Sequence, residues 1–164
     1  MYILFGSQKG NAEEIAENIY NLFKKKGYEC VISSLNNSIE NDSFTFLSKK
    51  NSKIIMICST TGNGDAPENA NYFWRKLKNQ KNPKNLLEET EYAVLGLGDT
   101  NYDKFCQMGK NLDRRFNELG SKRVIELHCA DDAVGQEETV NIFIEKVLRY
   151  FTDTPLSAFT PLEM

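Results

Sequence analysis

The sequence has 164 residues, of which 40% are hydrophobic and 26% are charged, and its formal net charge is −3. This is the composition of one ordinary globular domain, and it excludes a strongly basic nucleic-acid-binding protein and a chain that spans a membrane. The four cysteines are scattered without a CxxC motif, and there is a single histidine. We therefore expect no zinc site and no disulfide framework, and a reducing, cytoplasmic setting.

Five short apolar runs alternate along the chain with segments whose apolar residues recur at helical spacing. The runs, each predicted to be a buried strand, are 2–5, 30–32, 53–59, 92–97 and 124–127. Helical patterns begin at Ala12, at Pro67 and at Phe105, and the last one includes Val140. Residues 36–52 are predicted to form an irregular crossover with one short helix. Because the first strand begins at the second residue, we also expect no signal peptide.

Buried strands that alternate with helices predict an α/β fold with a five-stranded parallel sheet covered on both faces. Right-handed crossovers favour the strand order 2-1-3-4-5, which gives a flavodoxin-like three-layer α/β/α sandwich. We predict one domain over 1–151, followed at 152–164 by a tail or the start of an interdomain linker. In such sheets ligands bind beyond the carboxyl ends of the strands, so the loops after strands one, three, four and five should meet there.

Two of these loops have sequences that suit a ligand with a phosphate and a flat ring. Residues 7–11 precede a helix N-terminus, where free N–H groups favour an anion and Lys9 adds a positive charge. A simple N-capping turn is the alternative. The fourth strand runs into Gly98 and a polar loop with Tyr102, which is typical of backbone that approaches a planar ligand. A tight turn with a surface tyrosine is the alternative.

Four segments of the chain resemble the FMN-binding loops of the diflavin reductases, relatives of cytochrome P450 reductase that carry a flavodoxin-like domain. These segments are 6–13, 59–65, 96–102 and 130–132. They follow one another in the family's order and span nearly the whole chain, which makes the resemblance specific. Within the family, the motifs are similar to two branches, methionine synthase reductase and NADPH-dependent diflavin oxidoreductase, and do not choose between them.

The resemblance implies which residues would hold FMN. Residues 7–12 would wrap its phosphate, 59–62 and 97–106 would line the two faces of the isoalloxazine ring with Tyr102 stacked on it, and Asp132 would stand near the ring edge. The full implied set is Ser7, Gln8, Lys9, Gly10, Asn11, Ala12, Ser59, Thr60, Thr61, Gly62, Asn63, Leu97, Gly98, Asp99, Thr100, Asn101, Tyr102, Asp103, Lys104, Phe105, Cys106 and Asp132. The chain departs from the family's pattern at Lys9 and Asn11, which replace hydroxyl-bearing residues, and at Thr61, where many relatives have an aromatic residue.

The same resemblance implies an electron-transfer domain of an NADPH-dependent oxidoreductase. Such a domain accepts electrons from an FAD- and NADPH-binding reductase module, in cis or in trans, and passes them singly to a redox protein acceptor. That acceptor would be a methionine synthase-like, iron–sulphur or haem protein, and the chain alone would be a carrier without NADPH activity.

A free-standing flavodoxin is the near alternative. A receiver domain of the same fold is disfavoured because Lys9, and not an acidic cluster, follows the first strand. A hydrolase is disfavoured because the sequence has no GxSxG motif and His128 has no evident nucleophile partner.

Overall fold

The computed structural model describes residues 1–152, which form six strands, four α-helices and one 3₁₀ turn. The strands are β1 (Tyr2–Gly6), β2 (Val31–Ser34), β3 (Lys53–Ser59), β4 (Glu91–Gly98), β5 (Lys122–Arg123) and β6 (His128–Asp131). The α-helices are α1 (Asn11–Lys25), α2 (Glu68–Leu77), α3 (Gln107–Glu118) and α4 (Glu137–Thr152), and a 3₁₀ turn covers Asn36–Ser38. None of the helices over residues 1–152 is both long enough and apolar enough to cross a membrane.

The strands form one parallel sheet in the order β2-β1-β3-β4-β5, with β6 also paired to β4. This confirms the predicted fold class and strand order. The observed bounds differ from the predicted ones by one or two residues at β2, which is four residues long and lies at the edge of the sheet. The short helix predicted in the crossover is the 3₁₀ turn that begins at Asn36.

The fifth strand was predicted at 124–127, and that placement is wrong. Pairing with β4 passes from Tyr92↔Arg123 to Leu95↔His128, so two residues of β4 lie opposite four residues of the partner chain segment. The two extra residues bulge out of the ladder, as in other interrupted strands. Ile125 is nevertheless buried in the core, which explains the apolar run that suggested a strand. Residues 128–131, predicted to be loop, form the strand β6 instead.

Helices cover both faces of the sheet because the inner strands alternate their side chains between two apolar cores. Ile55 and Ile57 point towards α1 and α4, whereas Ile54 and Met56 point towards α2 and α3. The inward residues predicted for the third helix are buried, but Phe105 lies before α3 and is half-buried. The last helix extends through Thr152, one residue beyond the predicted domain boundary, and the rest of the predicted tail lies outside the described residues.

Strand β4 and helix α3 approach so closely that only glycine fits at their contact. A Cβ atom added to Gly109 would lie 2.7 Å from the Gly96 Cα, and one added to Gly98 would lie 2.8 Å from the Cys106 backbone nitrogen. Both neighbours are backbone atoms, which cannot give way without moving the strand or the helix. This contact fixes the start of α3 against the carboxyl end of β4.

We expect Gly109→Ala to destabilise the fold. The clash with the Gly96 backbone should cost about 2–3 kcal/mol of the free energy of unfolding. Alanine is favoured over glycine within a helix by roughly 1 kcal/mol, so we expect a net loss of about 1–2 kcal/mol. Urea unfolding measures the difference. Asn117→Ala, an exposed change in the same helix, should shift stability by no more than about 0.5 kcal/mol. A Gly109→Ala protein as stable as the wild type would contradict the close-contact interpretation.

Candidate functional site

A cavity of about 320 Å³ lies at the carboxyl edge of the sheet, where the predicted loops meet. The volume falls in the usual range for small-molecule sites. The cavity is lined by residues of the loops that follow β1, β3, β4 and β6. They are Ser7, Gln8, Lys9, Asn11, Ser59, Thr60, Thr61, Gly62, Pro67, Leu97, Gly98, Asp99, Tyr102, Lys104, Cys106, Asp132 and Gln136.

The loop between β1 and α1 presents a polar group without a protein partner. The Ser7 N–H donates to the Asn69 Oδ1 at 3.0 Å, which fixes the loop against α2. The Ser7 Oγ is buried and has no hydrogen-bond partner. Gly10 adopts a φ of 87°, a conformation that favours glycine, and α1 begins at the next residue. An unpaired hydroxyl beside a helix N-terminus suits an anionic ligand group, because buried polar groups are normally satisfied.

The side chain of Asn11 is already engaged across the cavity. Its amide exchanges two hydrogen bonds with the Gln136 amide, at 3.1 and 3.2 Å. This pair joins the start of α1 to the residue before α4. Lys9 is exposed on the cavity rim and is the cation closest in sequence to Ser7. The polar character of this end of the cavity therefore comes from Ser7, Lys9 and backbone N–H groups.

The loop after β3 is a compact turn that touches the loop after β4. The Thr61 N–H donates to the Asp65 carbonyl at 3.0 Å, and the Thr61 Oγ1 accepts the Asp65 N–H at 3.1 Å. The Thr60 Oγ1 accepts the Met108 N–H at 3.0 Å, which joins this loop to the start of α3. The Tyr102 ring lies against Gly62, where a Cβ atom would be 3.4 Å from the Tyr102 Cε1.

The loop after β4 is held by one carboxylate from the end of β6. The Asp131 carboxylate accepts the Thr100 N–H at 3.0 Å, the Thr100 hydroxyl at 2.7 Å and the Ala133 N–H at 3.0 Å. The hydrogen bonds from Thr100 hold the pKa of Asp131 below its usual range. The Asp132 N–H also donates to the Gly98 carbonyl at 2.9 Å. These bonds set the position of the wall that carries Tyr102, whose side chain is 55% exposed.

Most of the residues that the sequence assigned to the site line the cavity, but seven do not. The seven are Gly10, Ala12, Asn63, Thr100, Asn101, Asp103 and Phe105. Ala12 is the second residue of α1 and is fully buried in the core that α1 and α4 cover, so it does not face the cavity. Thr100 is turned towards Asp131 and positions the loop. Asn63, Asn101 and Asp103 line a second pocket, which shares Gly62, Tyr102 and Lys104 with the cavity.

Two residues of the cavity wall were missed by the sequence reasoning. Pro67 was recognised only as a helix start, and Gln136 was not singled out at all. Gln136 lies 125 positions from its partner Asn11, and no local sequence pattern predicts such a pair. The only signal was its position directly before the acidic first turn of α4, which marks a helix start near the sheet edge.

This chain belongs to the flavodoxin family, whose sequence model matches residues 3–144. Among solved structures, flavodoxin 2 from Bacillus cereus, in its oxidised form, superposes with a TM-score of 0.72 and 26% identity over 93% of this chain and 98% of that chain. A cysteine-to-alanine mutant of flavodoxin from Pseudomonas aeruginosa gives the same TM-score, with 25% identity over 93% of this chain and 95% of that chain.

The curated relatives are longer reductases. Methionine synthase reductase from Bos taurus is 36% identical over 87% of this chain, and NADPH-dependent diflavin oxidoreductase 1 from Schizosaccharomyces pombe is 37% identical over 74%. The sulfite reductase [NADPH] flavoprotein alpha-component from Bacillus subtilis is 38% identical over 74% of this chain. The chain spans about a fifth of the length of each, namely 20%, 20% and 19%. It is a flavodoxin-like domain homologous to diflavin reductases, and the suspected family is confirmed.

We expect the Asp131 contacts to be lost in acid. Because the pKa of Asp131 is lowered in the folded state, its carboxylate stabilises the fold at any pH above the ordinary aspartate pKa of about 3.9. This contribution is lost as the pH falls below that value and through the lowered pKa. The amide chemical shifts of Thr100 and Ala133 should therefore change together in that acidic range.

Two variants make this prediction specific. Asp131→Asn should remove the shared acidic transition of the two amides, whereas Asp132→Asn should leave it in place, because only the Asp131 carboxylate accepts both N–H groups. The prediction is wrong if the transition persists in Asp131→Asn.

Proposed function

We propose that this chain is an FMN-binding electron-transfer domain. It would accept electrons from an FAD- and NADPH-binding reductase module and pass them singly to a redox protein acceptor. The observation that carries the proposal is the cavity itself, which has an unpaired buried hydroxyl of Ser7 at a helix N-terminus and a tyrosine on the wall formed by the loop after β4. Family membership supports a flavin as the ligand.

The phosphate of FMN fits the end of the cavity formed by residues 7–11. The Ser7 Oγ–H would donate to a phosphate oxygen, and Lys9 would supply a counter-charge at the rim. The N-terminus of α1 adds roughly 0.3–2 kcal/mol of favourable interaction with an anion. The family's hydroxyl-bearing residue is replaced by Asn11, whose amide is paired with Gln136, so Asn11 would shape the site without needing to bind the phosphate.

The ring of FMN fits between the loops that carry Thr61 and Tyr102. Gly98 lines this end of the cavity, and the absence of a side chain there lets the end of β4 pack directly on Cys106. The Tyr102 ring lies against Gly62 and is 55% exposed, and it would turn outwards to stack on the bound ring. Bound FMN would supply the capacity to hold one or two electrons, and the protein would position it at an exposed edge.

The rim of the cavity suits a partner with a basic surface. Asp65, Asp103 and Asp132 are exposed around it, and Val134, 83% exposed, adds an apolar contact. Complementary charge guides association and orientation more than it adds affinity, which suits a transient electron-transfer complex. The reductase module, in cis or in trans, and a methionine synthase-like, iron–sulphur or haem protein are the proposed partners, and the cytoplasm is the proposed location.

Titration with FMN and with riboflavin, which lacks the phosphate, tests the cofactor assignment. We expect FMN to bind with a perturbed absorbance spectrum and quenched fluorescence. Ser7→Ala should weaken FMN binding about tenfold or more, because a hydrogen bond to a charged group is worth about 1.5–3 kcal/mol. The affinity for riboflavin should stay the same.

The control for this titration is Ser48→Ala, a change in the crossover between β2 and β3, which should leave both affinities unchanged. If FMN causes no spectral change, the proposed function is wrong. If Ser7→Ala weakens FMN and riboflavin equally, the phosphate assignment is wrong.

The acidic rim predicts a salt-dependent reaction with the reductase module. We expect the rate of FMN reduction by an added FAD- and NADPH-binding module to fall as ionic strength rises. Asp65→Lys combined with Asp103→Lys should lower the rate at low salt, because it replaces two negative charges of the rim with positive ones. Both residues are exposed on loops that border the main cavity, and neither lines it, so FMN binding should not change. Glu29→Lys, on an exposed residue just before β2 at the opposite end of the sheet, should not. A rate that is independent of salt would count against docking at this rim.

A further inference from the structure

Two of the four cysteines meet beneath the cavity wall. Cys129 on β6 is the register partner of Gly96 on β4, so its side chain points to the same face of the sheet as the missing side chain of Gly96. A Cβ atom added to Gly96 would lie 3.4 Å from the Cys106 Cβ and 3.5 Å from its Sγ. The Cys106 Sγ also lies 3.9 Å from the carbonyl oxygen of Ala130, the residue after Cys129. Register pairing and the Cys106 contacts therefore place the side chains of Cys106 and Cys129 on the same face of the sheet, next to each other.

The two thiols are electrostatically unequal. The hydrogen bond from Cys106, together with the positive charge of Lys110, lowers the pKa of Cys129 to about 7 despite its partial burial. The same hydrogen bond and burial raise the pKa of Cys106. A substantial fraction of Cys129 is therefore thiolate at neutral pH, whereas Cys106 retains its proton. A thiolate is the reactive form of cysteine, so the pair contains a nucleophile and a neighbouring thiol.

The other two cysteines lack this activation. Burial raises the pKa of Cys58 to about 12, and it also raises the pKa of Cys30. Cys30 and Cys129 are both half-buried, so both are partly accessible to solvent. Cys30 therefore serves as an internal control for Cys129: both thiols are partly exposed, but only Cys129 has a second cysteine beside it.

We propose that Cys129 and Cys106 form a hydroperoxide-reactive dithiol that closes to a disulfide beneath the cavity wall. In the first step the Cys129 sulphur attacks a peroxide oxygen, so that an S–O bond forms and the O–O bond breaks. Cys129 becomes a sulfenic acid, and the peroxide is reduced to water or an alcohol. In the second step the Cys106 sulphur attacks Cys129, the S–S bond forms, and the hydroxide leaves as water with the Cys106 proton.

This inference goes beyond the proposed function, because the reaction needs no flavin. It assigns Lys110 as a positioning residue, which favours the Cys129 thiolate through its charge. Lys110 is exposed, lies in α3 and is packed with its Nζ 5.5 Å from the centre of the Phe105 ring.

The test uses the full chain, reduced and free of flavin, with a small excess of hydrogen peroxide. We expect the intact mass to fall by the mass of two hydrogen atoms, and peptide mapping to join Cys106 to Cys129. In Cys106→Ser the reaction should stop at a Cys129 sulfenic acid that dimedone traps, and in Cys129→Ser no disulfide should form. Cys30→Ser should react like the wild type.

Lys110→Met should slow the reaction several-fold without changing the thermal unfolding midpoint, a result that a merely structural role would not give. The proposal is overturned if Cys30 is oxidised as fast as Cys129, or if Cys129 oxidises in the wild type without joining Cys106. An unchanged rate in Lys110→Met overturns the role of Lys110. Because flavin is absent throughout, failure here leaves the FMN titrations to decide the proposed function separately.

Discussion

The architecture depends on β4 being paired on both sides along most of its length while its end packs directly on a helix. It pairs with β3 from Glu91 to Leu97 and with β5 and β6 on its other edge. At Gly96 and Gly98 no side chain separates it from the Cys106–Gly109 segment. Removing two side chains from a central strand sacrifices apolar burial, but it brings the backbone of α3 and the cavity floor together. The position of the loop between β4 and α3, which forms one wall of the cavity, follows from that approach.

The sequence predicted most of this arrangement because its signals are local. Apolar runs of four to seven residues followed by small polar loops identify buried parallel strands, and the helical spacing of Met108, Leu112 and Phe116 identifies the inward face of α3. From those elements the handedness of crossovers leaves few sheet orders. The location of the site at the carboxyl edge then follows from topology alone, before any residue is matched to a family.

The failures have a shared physical origin. An apolar run indicates that a segment is buried, but it does not show that the backbone pairs with a neighbouring strand. At 124–127 Ile125 is buried, yet the backbone bulges out of the ladder with β4. Hydrogen bonds between side chains that are far apart in the chain also leave no local pattern in the sequence. Gln136 enters the site through its amide bonds to Asn11, and Asp131 holds the loop at Thr100 across 31 positions. Both residues act through partners that a single sequence does not reveal.

Cys106 belongs to both of the sites proposed at this edge. It lines the cavity and is fully buried, its backbone caps the start of α3 with a φ of 53°, and its thiol donates to the carbonyl of Ala130, the residue after Cys129. A residue in a left-handed conformation at a helix start is held there by its surroundings, here by the close approach of Gly98. A bond formed at its sulphur therefore acts on a segment that has little room to adjust. The proposed disulfide and the shape of the cavity wall are thus linked through one residue, so closing the disulfide would also act on the cavity wall.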